Sequence, residues 1–224
     1  MFGALRGATV DLYYQSIRLV PANLVWGGTV LVLGWIAVSV GIGLALLGTP
    51  LLAVPLVGVY RLAGHVTRRE EVVLSDAWTA MRERWVAALA IGTALVVAAV
   101  LLGTNIQIGL ESDSPLGWAF ATVAGWTLVA TVIYAIVVWP LLADPDRRAV
   151  PARAAARLAG LVVLAAPIRV AGLALVVVAL GIVSTILFAL VLSISIAYIA
   201  LLSCRVVLPE ADRLAERLAE RETR

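Results

Sequence analysis

Forty-two consecutive residues, 19–60, carry no charged side chain. One charge at the centre of a bilayer costs about 2.5–3.5 kcal/mol on insertion scales, so uncharged runs mark where a chain can cross. Three more follow, 85–110, 114–143 and 170–204, of 26, 30 and 35 residues. The last is preceded by an apolar stretch, 158–168, parted from it only by Arg169. With 62% of its 224 residues hydrophobic, 14% charged and a mean hydropathy of +1.04, the chain has more apolar surface than a soluble fold of this size can hide. It reads as an all-α integral membrane protein.

Helix geometry sets the number of crossings. About 20 residues at 1.5 Å each span the hydrocarbon, so 85–110 and 114–143 are one crossing apiece. As a single helix, run 19–60 would extend about 63 Å, twice the hydrocarbon thickness. Gly41, Gly43, Gly48 and Pro50 offer a turn near its middle. Segment 158–204 is also too long for one crossing, and Gly181 and Ser184 offer its turn. Six crossings result, near 19–40, 49–66, 85–105, 117–142, 161–180 and 184–204, in three hairpins. They make residues 1–208 one membrane domain, followed by a tail, 209–224.

Charge tests this arrangement. Every one of the 17 basic residues is arginine. Six crossings place all of them on one side, in the N-terminus, in 61–84, in 147–169 and from Arg205 onward. The other side keeps only Glu111 and Asp113. The positive-inside rule then puts both termini in the cytoplasm. It also accounts for the net charge of +3 without nucleic acid. A five-crossing alternative, with 19–60 crossing once, strands Arg6 and Arg18 outside. The 42-residue stretch after Arg18 is too long for a cleaved signal, whose apolar core is roughly 7–15 residues.

The connectors carry local signals. Ser75-Asp76 reads as a cap opening a short helix, Ala77–Arg84, and Pro151 suits the first turn of another helix bearing Arg153 and Arg157. Tyr60, Trp85, Trp118 and Trp139 fall at crossing ends, as an interfacial belt would, while Trp26, Trp35 and Trp126 lie deeper and read as packing residues. In the tail, Leu208, Ala211, Leu214, Ala215 and Leu218 form an apolar stripe, which marks a helix lying on the inner surface or docked on a partner.

Several function classes lack their residues. Without lysine there is no Schiff base and no P-loop. One cysteine, Cys204, and one histidine, His65, make neither an internal disulfide nor a zinc set, so no metal or cofactor is expected. No Asp or Glu falls inside a crossing, which argues against a proton-coupled transporter or an intramembrane aspartyl protease. Ser184, Ser193 and Ser195 have no histidine at their depth. Asp76 and Glu83, seven apart on one helix, are the nearest approach to a carboxylate pair.

Asn23, Tyr60 and Arg169 are the candidate ligand contacts. Asn23 is an amide inside the first crossing, where a cross-helix hydrogen bond is the ordinary role. Arg169 follows Pro167, and interfacial snorkelling is its ordinary reading. Arg61, His65, Arg68, Arg69, Arg147 and Arg148 are candidates for contact with a partner or with anionic headgroups.

An ordered set of segments resembles the YesL-type membrane proteins, the DUF624 family. The segments are Ala22-Asn23-Leu24-Val25-Trp26; Pro55 with Val59-Tyr60-Arg61; Arg68-Arg69-Glu70-Glu71 leading to Asp76, Arg82 and Trp85; and Ala166-Pro167-Ile168-Arg169. They span most of 10–208. The arginine-only composition and the charged tail depart from that pattern. The resemblance implies a bacterial inner-membrane protein without established catalytic residues, associated with carbohydrate uptake. The expected function is therefore a non-enzymatic accessory protein of an ABC-type carbohydrate transporter, embedded in the lipid bilayer, with self-association left open. The alternative is an autonomous permease or channel for a small neutral or anionic solute.

Overall fold

A computed structural model describes residues 2–112, 114–186 and 194–222. Asp113, Ser193 and Arg224 lie outside the described residues, as does part of the last expected crossing. The described chain is all-helical. Its α-helices are α1 (Phe2–Ser39), α2 (Ile42–Gly48), α3 (Ala53–Arg68), α4 (Leu74–Glu111), α5 (Pro115–Ala143), α6 (Ala152–Ala165), α7 (Pro167–Ile186) and α8 (Ile196–Glu222). Short 3-10 turns, Thr49–Leu52 and Pro145–Arg147, join α2 to α3 and α5 to α6. Among the described residues, five stretches are long and apolar enough to cross a membrane: Phe2–Ser39, Ile42–Arg68, Leu74–Glu111, Pro115–Ala143 and Pro167–Ile186.

The first hairpin turns at one residue. Gly41 has φ 141° and ψ 149°, in a region that side chains with a Cβ rarely enter. Just before it, the amides of Val40 and Gly41 both donate to the Ile36 carbonyl, at 2.9 and 3.0 Å. Gly43 and Gly48 are helical, so the second span starts at Ile42 rather than near 49. Near the other end of the chain, α7 continues as helix through Gly181 and Ser184 to Ile186, so the turn expected there is absent.

Several helices extend beyond the expected crossings. α1 begins at Phe2, not near 19, and α4 joins the expected short helix 77–84 to its crossing as one 38-residue helix. That helix is about 57 Å long, longer than the thickness of a bilayer with its headgroup layers. Its cap differs from the expected one. Val73 occupies the N-cap, and Asp76 reaches back to accept from the Val73 amide at 3.2 Å. Conversely, the expected crossing 161–180 is not one helix. It breaks at Ala166 (φ −133°, ψ 54°), before Pro167, which has no amide proton to continue the ladder.

α3 is the hub, packed against α1, α4, α5 and α8. Its small residues permit this. A Cβ at Gly64 would lie 2.8 Å from Pro145 Cδ, so only glycine lets the α5–α6 connector approach. Val57, Val59, Leu62 and Ala63 join Val137, Val138, Leu141 and Leu142 of α5 and Leu201, Leu202, Val207 and Leu208 of α8 in one buried cluster.

Away from this cluster, large apolar side chains face outward, among them Val97, Leu101 and Ile108 on α4 and Phe120 and Val123 on α5. An apolar surface this extensive suits hydrocarbon, not water. The aromatics redistribute accordingly. Trp85 and Trp118 are exposed as a belt requires, but Tyr60 and Trp139 are buried against the protein. Trp35 and Trp126, expected as packing residues, are 68% and 72% exposed. Helix rotation, which the expected depths do not encode, decides which aromatics face lipid.

Candidate functional site

The arginine-bearing ends of α3, α4 and α8 meet the α5–α6 connector, and an ionic junction forms there. α5 delivers its last carboxylate at the point where its apolar run ends. Asp144 terminates the helix, and its side chain has no exposed surface. Two guanidiniums converge on it. Arg68, at the end of α3, places Nη2 2.9 Å from Asp144 Oδ2, and Arg147, in the 3-10 turn, donates to the same oxygen. Asp212 on α8 takes the other halves of both forks. Arg68 Nη1 lies 2.7 Å from its Oδ2 and Arg147 Nη2 2.6 Å from its Oδ1. Asp146 adds a contact of 2.9 Å to Arg68 Nε. Burial pushes the Asp212 carboxyl upward, but the hydrogen bonds and charges of Arg68 and Arg147 outweigh it and hold the group below its ordinary value.

Beneath this square lies Arg61, 2% exposed. Its Nη1 donates to the Asp144 carbonyl at 3.3 Å, while Nε and Nη2 have no hydrogen-bond partner among the described residues. Arg61, Arg68 and Arg147 thus face Asp144, Asp146 and Asp212, three charges of each sign.

Around it, α4 pins the connector from the other side. Arg84 donates to the carbonyls of Arg147, Arg148 and Val150, at 3.2, 2.5 and 2.9 Å. Arg148 pairs with Glu83 at 3.1 Å on the exposed surface. His65 Nδ1 sits 2.6 Å from Glu70 Oε2, and its Nε2 is 3.9 Å from Asp76 Oδ2. Asp76 and Glu83 therefore serve different partners and do not form a pair. Arg69 is exposed and has φ 59°. It is the left-handed residue of a Schellman turn closed by Glu70 N to His65 O at 3.0 Å and Arg69 N to Val66 O at 3.2 Å.

Of the six candidate contact residues, then, five gather at this junction or its edge with internal partners. Arg69 alone is given over to the turn. Sequence reasoning did not single out Asp144, Arg84 or Asp212. A signal for Asp144 existed: it is the first charge after a 30-residue uncharged run.

The three ligand candidates lie apart. Asn23 is buried on α1, and its Oδ1 accepts from the Ala197 amide at 2.9 Å, in the first turn of α8. Tyr60 is buried on α3. Arg169 is exposed at the start of α7 and pairs with Glu210 of α8. The clefts that Arg169 lines contain neither Asn23 nor Tyr60.

Chemically, the junction is a set of matched charges without a nucleophile-base arrangement. Cys204 is buried and its thiol points to the Tyr60 carbonyl, 3.9 Å away. Among the described residues no group of three or more His, Cys, Asp or Glu converges as metal ligands would. Comparison with known family models, curated proteins and solved structures finds no match to this chain.

Proposed function

We propose that this chain is a non-enzymatic accessory protein of a bacterial inner-membrane carbohydrate transporter, with six crossings and both termini cytoplasmic. The sixth crossing is the uncharged segment expected at 184–204, whose last turns, Ile196–Cys204, open α8. The observation that carries the reading is the ionic junction. It fastens the tail, through Asp212, to the end of α3 and to the connector that follows α5, and so gives the arginine-bearing end one continuous face. A face of matched internal charges surrounded by exposed Arg69, Arg82, Arg148, Arg153 and Arg157 suits docking better than turnover. The choice of a carbohydrate transporter rests on the resemblance to the YesL-type proteins alone.

The permease alternative needs a polar path between the helices. The buried apolar cluster shared by α3, α5 and α8, and the engagement of Asn23 with α8 backbone, weigh toward the accessory reading.

The test is crosslinking in native membranes, purification in mild detergent and mass spectrometry. Transporter subunits should be recovered in fixed proportion, and charge reversal at Arg69 and Arg148 should abolish their recovery. Arg68 is the wrong residue for that purpose, since reversing it would dismantle the junction. Recovery of this chain alone, beside a known complex captured as control, would overturn the accessory reading.

A further inference from the structure

The break between α6 and α7 opens a cleft against α8. Two adjoining hollows of about 350 and 470 Å³ share Ile168, Arg169, Glu210 and Arg213, with Arg217 lining the first and Arg205 the second. Two guanidiniums, from residues 41 positions apart or on the next turn of α8, converge on a single oxygen. Arg169 Nη1 and, at 2.9 Å, Arg213 Nη1 both donate to Glu210 Oε1. The charges here do not balance as they do at the junction. Arg169, Arg213 and Arg217 face one carboxylate, Glu210, while Arg205 is matched by Asp11 at 2.8 Å. The cleft therefore has a fixed point where an anionic oxygen is held by two arginines, and a surplus of two positive charges around it.

Its position adds the second half of the argument. Arg169 stands at the foot of the apolar helix α7, and Ile168 beside it is 87% exposed. An apolar side chain this open, next to a cluster of cations at the end of a membrane-spanning stretch, matches a molecule with an anionic head and a hydrocarbon body.

We propose that this cleft binds the phosphate of an anionic phospholipid, with Arg169 and Arg213 on the phosphate oxygens, Arg217 supplying further charge and Ile168 against the acyl chains. Guanidinium forks suit phosphate oxygens by geometry as well as charge. The phosphate takes over the place that the Glu210 oxygen holds between the two arginines, so Glu210 competes with it.

Native mass spectrometry of the full chain tests this, with phosphatidylglycerol or phosphatidylcholine added to neutral-detergent micelles. Phosphatidylglycerol should be retained over phosphatidylcholine. The double variant Arg169→Gln with Arg213→Gln should lower its retention roughly tenfold or more, from the attraction lost with two arginines. Arg153→Gln with Arg157→Gln, exposed on α6 outside the cleft, should leave it unchanged. Glu210→Gln should raise retention, a gain that a misfolded variant does not produce. Soluble glycerol phosphate, which has the head without the chains, should fail to displace the lipid. Displacement by it at equal concentration would overturn the lipid in favour of a soluble phosphate ester. Equal retention of the two lipids, equal loss in the α6 variant, or weaker retention by Glu210→Gln would overturn the site itself.

Discussion

Asp144 and Arg68, 76 residues apart in sequence, meet with Oδ2 2.9 Å from Nη2, and the Asp144 side chain has no exposed surface. The carboxylate is acceptable there because Arg68 and Arg147 both hold it. Replacing it leaves Asp212 and the half-exposed Asp146 to balance Arg61, Arg68 and Arg147, so one positive charge at the junction loses its match. Breaking one partner out of a buried ion pair costs on the order of 3–5 kcal/mol. Asp144→Ala is expected to lower the detergent melting temperature strongly, whereas Asp146→Ala, at a half-exposed position, should change it little. Equal small effects would remove Asp144 from its central role.

The acid side of the pH profile belongs in part to Asp212. Its carboxyl is held below the ordinary value of 3.8 when the tail is docked. The folded form thus binds its proton less readily than the unfolded form, so the contribution is complete above about 3.8 and is lost as pH falls through the lowered value. Tryptic cleavage at Arg213 and Arg217, after brief exposure to each pH and return to neutrality with the tail trapped by crosslinking, should reveal no Asp212-linked release between pH 7 and pH 5. Release in that interval that disappears in Asp212→Asn would contradict the assignment.

Glycines on α4 separate packing from propensity. A Cβ at Gly109 would lie 2.6 Å from the Gly117 carbonyl oxygen and 2.8 Å from Ala121 Cβ, while one at Gly103 meets nothing within 4 Å. Gly109→Val should force α4 and α5 apart and cost about 1–3 kcal/mol, the usual penalty of overpacking. Gly103→Ala should be neutral or stabilising by about 0.5–1 kcal/mol, the helix-interior difference between the two residues. Thermal unfolding of both variants checks the pair.

Asn23→Leu removes the acceptor for the Ala197 amide. The expected loss is about 0.6–1.7 kcal/mol, the range of polar contacts between membrane helices. Binding or transport of any solute should change no more than stability does. A large loss of solute binding with unchanged stability would return Asn23 to the ligand contacts.

Much of the membrane architecture was legible because it depends on local composition. Uncharged runs overlap the five stretches long and apolar enough to cross, and Gly41 stood among the residues marked for the first turn. The rest depends on facts that one segment cannot carry. Ser184 looked like a turn residue, but a hydroxyl in a helix can bond elsewhere, and it lies 2.6 Å from Ser195 Oγ. Tyr60 and Trp139 looked like belt residues at the right depth, yet depth leaves the rotation of α3 and α5 open. Asp144, three residues before Arg147, is a local partner, but Arg68 looked free because its carboxylates, Asp144 and Asp212, lie 76 and 144 residues away, as Asp212 lies 65 from Arg147. Pairing at that separation follows from tertiary packing and leaves no local pattern.

The most direct test of the side on which the docking face lies is cysteine labelling with a membrane-impermeant maleimide. The native Cys204 is fully buried and should stay silent. Ser112→Cys, between α4 and α5, should label in intact cells, and exposed Ala149→Cys, in the α5–α6 connector, only after permeabilisation. Labelling of Ala149→Cys in intact cells, with Ser112→Cys protected, would invert the topology and with it the cytoplasmic docking face.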